Sequence, residues 1–169
     1  MIYYHFHGKQ DLYRVVLRTV FSAMGDLLHN ITTSTVTPAE KLDQFVAAFV
    51  REGQARPHFA PIILREVAEG GRRLDEETYT LMFRIVRSMT SIIEEGTAAG
   101  QFGAVDPFLL YLTTVWPVMV YLATEPIRRT IARVAHLDAA RFEPDRFIRH
   151  LQTLNRRAVG APDTGSHVR

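Results

Sequence analysis

Cysteine is absent, which excludes disulfides, thiolate nucleophiles and cysteine-ligated zinc. Lysine is nearly absent: of the 20 basic residues only Lys9 and Lys41 are lysines. Neither sign of charge dominates. With 20 basic and 18 acidic residues the formal net charge is +2, so the chain carries no global signature of a polyanion-binding protein. Alternation of the strand type persists nowhere, and no internal repeat is visible.

Catalytic motifs are missing too. Gly70-Gly71 lies between helical segments rather than after a strand, so it is no phosphate loop. Neither G-x-S-x-G nor H-E-x-x-H occurs. Glu94 and Glu95 are adjacent and would face about 100° apart on a helix, too divergent to share one substrate. His5 and His7 diverge in the same way and have no neighbouring carboxylate ligand, so no metal and no cofactor are expected. The expectation is a protein that is not an enzyme.

Long hydrophobic runs are also lacking. Phe108 to Thr124 is 17 residues without a charge, short of the roughly 20 that a membrane helix needs, and Pro117 interrupts it. A buried helix is the better reading, and no membrane partner is expected. Met1 leads straight into Tyr3-Tyr4-His5 rather than into a basic and then apolar leader, which points to the cytoplasm.

What is present is helical periodicity. The chain has 169 residues, 47% of them apolar, which suits one domain with a sizeable core. Leu12, Val16, Val20, Met24, Leu27 and Ile31 predict a helix from Lys9 to about Ile31. Pro38 suits the first turn of a second helix with the stripe Leu42, Phe45, Val46, Phe49 and Val50, and Lys41 off it. A short helix runs from Phe59 to Glu69 and ends at Gly70-Gly71. Asp75 caps the next, whose face is Met82, Ile85, Val86, Met89, Ile92 and Ile93. Asp106-Pro107 opens the apolar segment, and helices at about 127–135 and 144–157 follow. Residues 158–169 have the composition of a disordered tail. The fold class is all-α, a helical bundle of about seven helices. Arg65-Glu66 and Arg72-Arg73 look like a solvated charged patch, and Arg128, Arg129 and Arg133 like a basic stripe that offsets nearby acids.

One motif is more specific. Tyr3-Tyr4-His5-Phe6-x-x-Lys9-x-x-Leu12 is similar to the segment joining the recognition helix to the following helix in the TetR (tetracycline-repressor) family, with Gly8 where that family usually has Ser or Asp. The resemblance implies that Tyr3, Tyr4, His5 and Lys9 face DNA phosphates. It also implies that the chain starts inside the recognition helix, either as a fragment or from an internal methionine. Residues 1–20 would be the remnant of a helix-turn-helix and residues 21–157 a ligand-binding and dimerisation domain. Operator DNA would be a partner only in a full-length form.

In that family the last two long helices form a four-helix bundle with a partner subunit. Here the resemblance implies a homodimer through Phe108, Leu112 and Val115 of one helix and Phe147, Leu151 and Leu154 of the other. It further implies a small apolar or aromatic ligand. Phe49, Tyr79, Met82, Phe83, Met89, Tyr111, Trp116 and Met119 are candidates for its lining. The function implied is a transcriptional repressor released from its operator by that ligand. The alternative is a dimerisation or ligand-binding protein without DNA binding, which would inactivate intact relatives by pairing with them.

Overall fold

The computed structural model describes residues 8–161, and within them the chain is all helix and connecting turns. Seven α-helices follow in order: α1 Lys9–Thr32, α2 Pro38–Ala55, α3 Phe59–Ala68, α4 Glu76–Ala98, α5 Pro107–Ala123, α6 Glu125–Val134 and α7 Pro144–Ala158, with a 3-10 turn at Ala139–Phe142 before α7. The starts of α2, α4 and α5 are chemically marked. Thr37 and Glu40 form a reciprocal capping box on α2, Glu40 N donating to Thr37 Oγ1 at 3.3 Å and Thr37 N to Glu40 Oε2 at 2.9 Å. Asp75 accepts from Thr78 N at 3.0 Å, and Asp106 accepts from Phe108 N and Leu109 N at 2.8 and 2.9 Å. These caps satisfy amides that a helix leaves free at its N-terminus.

The second helix lies at the centre of the bundle, packing against α1, α4, α5 and α7. Its buried face is Leu42, Phe45, Val46, Phe49 and Val50, the stripe expected from the sequence. Helices α1 and α4 form the most extensive pairing, and α3 packs on α5. On α1 the buried face is Leu17, Phe21, Met24 and Leu28. The expected stripe through Val16 is therefore out by one position, and Val16 is exposed. Two apolar sets one residue apart coexist on this helix, and the partner helices choose the one carrying the larger Leu17 and Phe21 side chains.

Charged side chains that the pattern put outside hold the layers together. Lys41 is buried: its Nζ donates to Thr32 O at 2.9 Å and pairs with Glu95 Oε2 at 2.8 Å, joining the end of α1, the start of α2 and the end of α4. Arg156 of α7 is likewise buried and pairs with Asp43 of α2 at 2.6 Å. Across the loop after α4, Phe102 turns back so closely onto Gly96 that a Cβ there would sit 2.1 Å from the ring. Helix α6 stands apart. Among the described residues its main contacts are with α5 and the 3-10 turn, and Ile127, Ile131 and Val134 on it are exposed, Val134 at 71%.

Candidate ligand cavity and the latch on the first helix

The first half of α1 is fastened to the corner after α3 by a buried carboxylate. Glu66 is only 1% exposed, and its Oε1 accepts from Tyr13 Oη at 2.6 Å and from Arg73 Nη1 at 2.7 Å. Burial pushes the Glu66 carboxyl up, but the hydrogen bonds from Tyr13 and Arg73 outweigh it, and the net shift is downward. Tyr13 moves the other way, raised by burial and by its bond to Glu66. Arg73 reaches back because the chain reverses at Gly70 and Gly71, whose φ values of 74° and 69° are left-handed and suit glycine. Arg73 also pairs with Glu69 at 2.5 Å. One turn further along α1, Arg18 pairs with Asp75 and with Glu77, and the Arg18 hydrogen bond holds the Asp75 carboxyl far below its usual range. The expected solvated patch is thus corrected. Glu66 is the pivot of a buried network, because α1 brings Tyr13 over it from 53 positions away.

A cavity of about 360 Å³ lies where α5 turns into α6, bounded by the end of α2 and the start of α7. Tyr121, Leu122, Phe142 and Pro144 give it apolar walls, and Glu125, Arg128, Arg129 and Glu143 its charges. The bend is sharp, 64° between α5 and α6. Tyr121 is stacked on Phe147 with ring centres 3.9 Å apart and planes 5° off parallel. The Arg128 guanidinium lies 3.7 Å from the centre of the Tyr121 ring. At such distances the two neighbours must occupy opposite faces of that ring. Arg128 Nη1 donates to Tyr121 O and, at 3.0 Å, to Thr124 Oγ1. Its Nε is buried with no hydrogen-bond partner among the described residues, an omission that costs about 1–3 kcal/mol. Arg129, by contrast, is exposed and pairs with Glu125 at 2.5 Å, so the basic stripe does offset an acid at that one position.

Residues 38–146 match the family model described as Tetracyclin repressor-like, C-terminal domain, which is more than half of the chain. The chain belongs to the TetR family. Among curated proteins and solved structures no match is found. Membership makes this a regulatory, non-catalytic domain with the all-α bundle typical of TetR C-terminal domains. No group of three His, Asp or Glu side chains is placed to hold a metal ion among the described residues. No single helix among them is long and apolar enough to cross a membrane, although α5 and the bent α6 pass by length and composition when taken together.

Against this TetR-type bundle the expected site residues scatter. Tyr3, Tyr4 and His5 lie outside the described residues, and Lys9 is exposed at the first position of α1. Of the expected ligand lining, Phe49, Met89 and Met119 are buried in the core, while Met82, Tyr111 and Trp116 are half-buried against it. Burial pushes the Tyr111 phenol up to about 12. Tyr79 and Phe83 are exposed on α4. None of these eight lines the α5–α6 cavity. Aromatic and methionine side chains spread over several helices are filled in by their neighbours before they can enclose space.

Of the expected dimer residues, Val115 and Leu151 are buried within the chain itself. Leu112 and Phe147 are half-buried, and Phe108 and Leu154 are exposed. The open face of α5 runs one position further round, through Leu109, Thr113, Pro117 and Val120. Sequence reasoning missed Glu66, Tyr121 and Arg128. A signal for the last existed, since Thr124 and Arg128 stand four apart, on the same face of a helix.

Proposed function

We propose that this chain is the ligand-sensing and dimerisation part of a cytoplasmic TetR-type repressor, which as a homodimer holds operator DNA and releases it on binding a small molecule. The observation that carries this reading is the uncovered apolar face of α5, with Phe108, Leu109 and Val120 about half exposed, beside Leu154 of α7, in a family whose name is that of a repressor. An apolar face of this kind on a soluble helix calls for a cover, and a second copy presents the same face about a two-fold axis. Thr114 and Asn155, 3.1 Å apart and buried, join α5 to α7, so both helices would meet the partner as one rigid unit.

Helix α1 is the mechanical link in this reading. DNA contact would come from Tyr3, Tyr4, His5 and Lys9 in a form that carries a complete helix-turn-helix, and the Tyr13–Glu66–Arg73 network would pass movement of the sensor to them. The repressing and released states would differ in the spacing of two recognition helices that must meet half-sites about 34–36 Å apart. The test is selection of bound duplexes from a random DNA pool by the form with the complete motif, followed by fluorescence anisotropy. A two-fold symmetric preferred sequence bound by a dimer is expected. Binding without sequence preference would overturn the repressor reading and leave a dimerising partner without an operator.

A further inference from the structure

We propose that the α5–α6 cavity is a binding site for a small organic monocarboxylate with an apolar body, and that Arg128 is the residue that takes its carboxylate. The proposal gives a chemical class to the effector of the repressor reading and rests on that reading only for its regulatory meaning. Binding itself is a property of this domain.

Arg128 forms no ion pair with a carboxylate among the described residues, although it lines a cavity that also carries Glu125 and Glu143. Its guanidinium is already positioned, by the Tyr121 ring beneath it and by the two acceptors of Nη1. Those contacts use one corner of the fork. Nε is buried with no accessible surface, so the donor left to meet a ligand is Nη2, which makes no hydrogen bond among the described residues and is not enclosed, and a hydrogen bond from it to a carboxylate oxygen is charge-assisted. A fixed cation with one open donor is therefore built into the wall.

The remaining charges decide which anion. Arg129 is neutralised by Glu125 at 2.5 Å, and Glu143 is exposed at the rim. Two carboxylates against two guanidiniums leave the cavity close to neutral. Either anion meets Glu125 and Glu143, but the Arg128 contact offsets one negative charge, and the second charge of a dianion such as a phosphate monoester would be repelled with no further cation to offset it. The walls of Leu122, Phe142, Pro57 and Pro144 favour an apolar body, and about 360 Å³ lies at the small end of the 300–1,000 Å³ range of ligand sites.

The test is isothermal titration of the whole chain with 2-naphthoate, 2-naphthalenemethanol and 2-naphthyl phosphate. Naphthoate is expected to bind more tightly than either analogue. Arg128→Gln should weaken naphthoate at least about tenfold and leave the alcohol unchanged, Arg128→Lys should fall between, and Arg133→Gln, outside the cavity on the same helix, should match the native chain. Circular dichroism checks that each variant folds. Glu143→Gln gives an arm that does not touch the stacked arginine, and removing that carboxylate should tighten naphthoate severalfold. Naphthoate binding no tighter than the alcohol, insensitivity to Arg128→Gln, tighter binding of the phosphate, or no gain from Glu143→Gln would each overturn the proposal. None of these outcomes bears on dimerisation or operator binding, which are read separately.

Discussion

Replacing Glu66 with leucine tests how strongly the corner after α3 holds α1. The substitution removes the acceptor of two hydrogen bonds, from Tyr13 at 2.6 Å and from Arg73 at 2.7 Å. Hydrogen bonds to a charged group contribute about 1.5–3 kcal/mol each. Two corrections reduce the sum. Arg73 is 35% exposed and keeps Glu69, so most of its charge remains solvated or paired, and its share is discounted toward that of a surface pair. Glu66 Oε2 is buried without a partner, and leucine abolishes that cost. The net expected loss is about 2 kcal/mol, a fall in Tm of about 4–8 °C for a chain of this size. Thermal unfolding followed by circular dichroism gives the total. Hydrogen exchange gives the location, with faster exchange expected in the first turns of α1 and in the Gly70–Arg73 reversal before anywhere else. A loss below about 0.5 kcal/mol, or exchange spread evenly over the bundle, would refute the view that Glu66 fastens this helix.

Three further outcomes follow from other parts of the molecule. Acid should destabilise the fold through Asp75 and Glu66: both carboxyls are lowered in the folded state, so their contribution is complete above the ordinary values of 3.8 and 4.5 and is lost as pH falls below them. A plot of Tm against pH should therefore drop on the acid side, and Asp75→Asn should flatten that drop. Gly96→Ala places a Cβ 2.1 Å from the Phe102 ring, and urea unfolding should show a loss of about 1–3 kcal/mol as the ring is displaced. Lys41→Met strips Thr32 O and Glu95 of their shared donor; since Glu95 is 42% exposed and can turn to water, the same assay should show a modest loss of about 1 kcal/mol.

Much of the fold was legible because α2, α4 and α5 announce their starts and several helices announce one face. Asp75 and Asp106 stand at the caps that the sequence placed, and Pro38 opens α2 one residue after Thr37. Leu42 to Val50 reads as a stripe because polar residues flank it. The register of α1 was less legible, because Val16 and Leu17 are both apolar and only tertiary packing distinguishes them. Buried charges were illegible for a different reason. Lys41 and Glu66 look like surface residues until Glu95 and Tyr13, 54 and 53 positions away, are brought against them. The α5–α6 cavity escaped notice because its shape depends on a 64° bend and on the return of α7, neither of which has a local signature. The resemblance at residues 3–12 pointed to the same family that residues 38–146 establish, from a segment that does not overlap them.

Sedimentation equilibrium of the purified chain is the most direct test, because the proposed sensing mechanism requires two copies held at a set spacing. A mass of twice the 19.2 kDa of one chain is expected, falling to 19.2 kDa in Leu109→Asp with helicity unchanged. A mass of 19.2 kDa for the native chain at concentrations up to about 100 μM, where even a weak dimer with Kd near 1 μM would be assembled, would contradict it.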